Sequence, residues 1–185
     1  MRLRLMAIVV VAMSLFGARS ALAQESGAVG VTMGFPASIG VIWHVTDKVA
    51  IRPELSFAHA STESAATGPI DIVTSTESDS VQFGVSALFY LQKRDSLRTY
   101  VTPRYSYASS ESSAAGPLAG LTLEIESREH SFGGSFGAQY NLGERFAVFG
   151  EIGLIYTSIE TTGLTLDREG SAFGTRSGVG VTLYF

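Results

Sequence analysis

From residue 29 onward the chain alternates between apolar and small or polar residues. In "SIGVIWHV" the odd positions Ile39, Val41, Trp43 and Val45 are all apolar, and a period of two puts alternate side chains on opposite faces of a strand. The same alternation predicts a first strand on Val29, Val31, Met33 and Phe35, a third on Val49, Ile51, Leu55 and Phe57, and a fourth on Val81, Phe83, Val85, Ala87, Phe89 and Leu91. Val101, Tyr105 and Tyr107 mark a fifth; His130, Phe132, Phe136, Ala138, Tyr140 and Leu142 a sixth. Phe146, Val148, Ile152, Leu154 and Tyr156 give the seventh, and Phe173, Val179, Val181, Leu183 and Phe185 the eighth.

The connections alternate too. Residues 46–48, 92–97 and 143–145 are short and polar, whereas 61–78 and 110–127 read as long loops rich in Ser, Thr and Ala, and the first hairpin turns tightly at "FPA". Eight strands joined this way predict an all-β chain, an eight-stranded antiparallel up-and-down transmembrane β-barrel. An internal repeat agrees: "RPELSFAHASTESAATGP" (52–69) resembles "TPRYSYASSESSAAGP" (102–117), and "FGEIGLIYTSIETTG" (149–163) is a looser third copy. One such unit is a strand pair with its loop, the building block of an up-and-down barrel.

A soluble barrel would share the alternation with its faces reversed, so the two faces must be compared. One parity carries large apolar groups and almost no charge; the other reads Gly30, Thr32, Gly34, then Ser38, Gly40, His44, then Ser131, Gly133, Ser135, Gly137, Gln139. A water-facing exterior would be about a quarter to a third charged, and small uncharged residues suit a crowded lumen instead. The apolar face therefore meets lipid. On it, Trp43, Phe89, Tyr140, Phe146 and Phe185 gather toward the short turns, and Phe35, Phe57, Tyr107, Phe132, Tyr156 and Phe173 toward the loops. Two such rings fit the interfacial girdles that anchor a barrel at the headgroups.

The leader changes the picture of where the chain goes. "MRLRLMAIVVVAMSLFGARSALAQ" has Arg2 and Arg4, an apolar run over 5–16 and Ala21-Leu22-Ala23 before Gln24. This is the form of a cleaved signal peptide over 1–23, and the run falls short of the roughly 20 residues of a spanning helix. Its removal takes away Arg2, Arg4 and Arg19 of 13 basic residues and none of the 17 acidic ones, leaving an acidic barrel domain over 24–185. That balance excludes a nucleic-acid footprint. The chain has no cysteine, which excludes a disulfide framework or thiolate metal site.

These residues resemble the small eight-stranded outer-membrane barrels of the OmpA and OmpX type, in the leader, the Pro-containing strands "IRPELSF" and "VTPRYSY", and the terminal "GVTLYF". The resemblance implies location in the bacterial outer membrane, contact with its lipid and lipopolysaccharide, and recognition of the C-terminal aromatic strand by the barrel assembly machinery. It also implies a monomer whose loops meet an extracellular ligand or support adhesion and envelope integrity. No further domain is expected after Phe185. Pro53 and Pro103 each remove a ladder donor, so bulges are expected there.

The few charges on the small-residue face are Arg52, Glu54, Arg104, Glu151 and Arg176. The repeat places Glu54, Arg104 and Glu151 at equivalent heights, which predicts an ion-pair cluster filling the lumen, with Arg104 bridging the two glutamates and Arg52 and Arg176 nearby. The alternative is a narrow porin for small solutes. An enzyme is not expected. His44, His59 and His130 are scattered and collect no metal, and no cofactor is implied. His130-Ser131 is adjacent on a strand, so the two point to opposite faces and cannot readily share a proton as a lipid A-modifying site would need. The His-x-Ser-Asn motif of the lipid A deacylases is absent.

Overall fold

A computed structural model describes residues 26–36, 38–66, 72–115, 122–163 and 167–185. The strands are β1 (Val29–Phe35), β2 (Ser38–Thr46), β3 (Val49–Ala66), β4 (Ile72–Arg94), β5 (Leu97–Ala115), β6 (Thr122–Asn141), β7 (Phe146–Gly163) and β8 (Asp167–Tyr184), antiparallel throughout and closed in a ring. The signal peptide expected over 1–23 lies outside the described residues.

The ring closes where β8 meets β1, with Val31 opposite Leu183 and Met33 opposite Val181. The Phe185 N–H donates to the Val29 carbonyl at 3.0 Å. The final aromatic strand is thus a seam: over the length of β1 it pairs both terminal strands, which would otherwise be open sheet edges.

The burial pattern is inside out relative to a soluble domain. Trp43, Phe83, Phe132, Phe136, Ile152 and Leu154 are exposed, while His44, Arg52, Glu54, Gln139 and Glu151 are buried. The two parities of the sequence are the outer and inner walls of one cylinder.

Two expectations are corrected. The segments read as long loops, 61–78 and 110–127, are mostly strand, since β3 continues to Ala66, β4 starts at Ile72, β5 runs to Ala115 and β6 starts at Thr122. These extensions rise beyond the Phe57 and Tyr107 level, where both faces meet water, so no apolar face marks them in the sequence. The bulges expected at Pro53 and Pro103 do not form: Pro53 pairs with Val85 and Pro103 with Gly134 in unbroken register. Each proline lacks a donor toward one neighbour only, and the ladder on its other side holds it. The register shifts lie instead near the short turns, between His44 and Thr46 and between Tyr90 and Gln92.

The hairpin of β1 and β2 is much shorter than the rest. Its last pairings are Phe35 with Val179 of β8 and Ile39 with Leu55 of β3. Above them, among the described residues, β3 pairs only with β4, and β8 only with β7. The wall is therefore notched at one place, between the free upper edges of β3 and β8.

Candidate functional site: the barrel lumen

The inner wall is filled in three layers. At the short-turn end lies a polar aromatic layer from β2, β4, β5, β6 and β8. His44 Nε2 is 3.2 Å from Tyr184 Oη, and the Gln139 amide donates to the same oxygen at 3.0 Å. Tyr90 donates to Gln139 Oε1 at 3.2 Å and stacks on His44 with ring centroids 5.4 Å apart. The Arg98 guanidinium lies 5.5 Å from the centre of the Tyr90 ring, a favourable cation–π placement.

Above it sits the ionic layer. Arg52 Nη2 donates to Glu151 Oε1 at 2.7 Å, and Arg52 Nε lies 3.6 Å from Glu54 Oε1. Arg104 pairs with Glu54, and Arg176 reaches Glu151 at 3.4 Å. Tyr100, fully buried, donates to Glu151 at 2.8 Å and joins the two layers. Phe149 packs under Arg52, 5.0 Å from its guanidinium carbon. A buried carboxylate is tolerable only where it is paired and hydrogen-bonded, and Glu151 has two arginines and a phenol.

All five charged residues singled out from the sequence, Arg52, Glu54, Arg104, Glu151 and Arg176, meet in this layer, but the bridge between the glutamates is not Arg104. It is Arg52. The ring sets Arg52 on β3 across from Glu151 on β7, and its guanidinium takes the centre of the lumen. Arg104 on β5 lies beside Gly84 and, among the described residues, pairs only with Glu54.

The third layer is a vestibule of hydroxyls open toward the strand extensions. Ser131 and Thr157 are 2.8 Å apart, Ser56 donates to Gln82 at 3.3 Å, and Ser112 donates to Ser78 at 3.1 Å.

Tyr90, Arg98, Tyr100 and Phe149 complete these layers beyond the residues expected from the sequence. The signal was there, since each is a large residue on the parity otherwise kept small. The glycines are its counterpart: a Cβ on Gly137 would lie 2.4 Å from the Tyr100 ring.

On the outer wall, Trp43, Phe89, Tyr140, Phe146 and Phe185 lie toward the short turns, and Phe35, Phe57, Phe132, Tyr156 and Phe173 toward the extensions, all exposed. Tyr107 is half-buried against the His130 ring, 5.0 Å away. His130 Nδ1 is 2.9 Å from Tyr105 Oη on that outer wall, while Ser131 turns inward to Thr157. His59 pairs with Asp79 at 2.8 Å on the exposed outer face of the extensions. Nearby, Arg128 donates to Glu126 at 3.0 and 2.8 Å, which raises its pKa above the ordinary arginine value. Among the described residues no group of three or more His, Asp or Glu is placed to hold a metal ion.

A family model described as "Outer membrane protein beta-barrel domain" matches residues 8–185. No curated protein sequence matches the chain. Among solved structures, a major outer membrane protein from Thermus thermophilus is similar with a TM-score of 0.57 at 11% identity, covering 85% of this chain and 98% of that one. The N-terminal barrel domain of Pseudomonas aeruginosa OprF (15% identity, TM-score 0.43, 88% of this chain and 100% of that one) is also found. So is the attachment invasion locus protein Ail of Yersinia pestis, at 11% identity and TM-score 0.39, with 85% and 95% covered.

Proposed function

The chain belongs to the outer membrane protein β-barrel domain family, and from that premise we propose that it is a wall protein with a sealed lumen whose work is done at the outer surface. Its place is the bacterial outer membrane, among lipid and lipopolysaccharide. The observation that carries the sealed lumen is Arg52, 2% exposed, held between Glu151 and Glu54 from opposite sides of the ring. Eight strands leave an interior just wide enough for side chains, and here those side chains are mutually bonded. In this reading the ion pairs, with Tyr100 and the His44–Tyr184–Gln139 layer, form a plug, and the aromatics of the two rings anchor the cylinder at the headgroups.

The strand extensions favour a surface role in adhesion or envelope integrity. They lift polar sheet beyond the upper aromatic ring, and their outer face carries Asp79, Glu111 and Glu126 in one cross-strand row. Recognition of the closing strand β8 by the assembly machinery, a monomeric state and an extracellular ligand at the tips belong to the same reading. A narrow porin is the second reading, favoured by the hydroxyl-lined vestibule and by Arg176, 21% exposed. Catalysis has less support, because His130 and Ser131 face opposite sides of the wall.

The test is to trim β3–β4 and β5–β6 to tight turns just above Phe57 and Tyr107. The trimmed chain is expected to keep the unboiled-versus-boiled gel shift of a folded barrel while attachment of expressing cells to surfaces falls. Unchanged attachment together with unchanged envelope resistance to detergent would remove the surface reading.

A further inference from the structure

The notch in the wall opens onto the ionic layer. Phe35 is the last residue of β1 and faces Val179, so Arg176 lies three positions before Val179 on β8, on the free edge, with its side chain turned inward. The three most exposed large apolar residues among those described stand around this opening: Phe35 at 75% on the hairpin tip, Phe57 at 71% on the edge of β3, and Phe173 at 71% on the edge of β8. Below the notch, on the lipid-facing wall, a groove of about 410 Å³ runs between Phe35, Phe136, Ile152 and Val179, over a floor thinned by Gly150 and Gly178.

The charge at the opening is unbalanced. The ionic layer holds three guanidiniums, Arg52, Arg104 and Arg176, against two carboxylates, Glu54 and Glu151. Arg52 and Arg104 have short contacts to their glutamates. Among the described residues Arg176 has a single bond, of 3.4 Å, to a carboxylate already bonded by Arg52 and Tyr100, and it is the most exposed of the five. A guanidinium has five donors in a fork suited to phosphate and carboxylate oxygens. A free anion in water needs no phenylalanines around it, and an alkane needs no guanidinium.

We propose that the notch is a lateral binding site for an acyl-chain amphiphile with an anionic head, phosphate or carboxylate, drawn from the outer leaflet. The head pairs with Arg176 at the foot of the vestibule, and the chain passes between Phe35, Phe57 and Phe173 into the groove below. The site rests on the sealed floor argued above, but it fails separately: conductance tests the floor and binding tests the notch.

The experiment uses the full barrel, refolded in a neutral maltoside detergent, titrated with dodecyl phosphate and followed by native mass spectrometry. One equivalent is expected to bind saturably, with inorganic phosphate and the neutral detergent failing to displace it. Arg176→Gln is expected to weaken binding at least tenfold. Gly174→Glu provides the second variant: a Cβ there meets nothing within 4 Å, and the new carboxylate sits on the same inner face one inward position from Arg176 without removing any existing ion pair. It is expected to weaken binding equally while keeping the gel shift. Unchanged binding in Gly174→Glu overturns the proposal. Displacement by inorganic phosphate at the same concentration also overturns it, because the chain would then contribute nothing.

Discussion

Arg52 and Glu151 are 99 residues apart in the chain and come from β3 and β7 on opposite sides of the ring, yet Arg52 Nη2 donates to Glu151 Oε1 at 2.7 Å with both side chains 2% exposed. This contact ties the two halves of the cylinder together across its interior. It also explains why a wall of small residues carries these large charges at mid-height.

Removing Arg52 leaves two buried carboxylates short of their shared partner. Arg52→Ala is therefore expected to cost about 3–5 kcal/mol, read as a lower urea midpoint for the barrel in lipid vesicles. Arg176→Ala takes away a longer and more exposed contact, and its cost should stay within about 1 kcal/mol. Equal losses for the two variants would contradict the central position of Arg52.

Gly137 is small because Tyr100 fills the space its side chain would need. In Gly137→Ala the added carbon meets the Tyr100 ring at 2.4 Å, and Tyr100 is fully buried, so the ring shifts away from its bond to Glu151. The expected destabilisation is about 1–3 kcal/mol, typical of overpacking, and it should largely vanish in the double variant with Tyr100→Ala. A full additive loss in that double variant would show that the two residues do not share the space.

Trp43 is the single tryptophan and is half exposed on the lipid-facing wall near the short turns. Its fluorescence is expected to be quenched strongly by lipids brominated near the headgroup and weakly by aqueous iodide. Strong iodide quenching with no lipid effect would place the lower aromatic ring in water.

Much of this was legible in the sequence. The alternation from Val29 to Phe35 and from Ser38 to Val45 marked strands whose two faces differ, and the scarcity of charge on the small-residue face singled out the five residues that meet in the ionic layer. The extensions of β3 to Ala66 and of β5 to Ala115 were not legible, because a strand with water on both sides has no apolar period. The choice of Arg52 over Arg104 as the bridge was hidden for another reason. A repeat reports which positions are equivalent in height, while which arginine reaches across depends on where the strands stand around the ring. The notch depended on comparing strand lengths on both sides of one short hairpin, and its consequence for Arg176 emerges only with the register.

The central claim is that bonded side chains close the lumen, and ion current through the protein in a planar bilayer tests it most directly. The wild-type barrel, inserted at a verified protein-to-lipid ratio, is expected to give no steady conductance. A variant without the cross-lumen bridge and its phenol, Arg52→Ala with Tyr100→Ala, is expected to pass current where it still shows the folded gel shift. Steady channel openings from the wild-type protein would contradict the account.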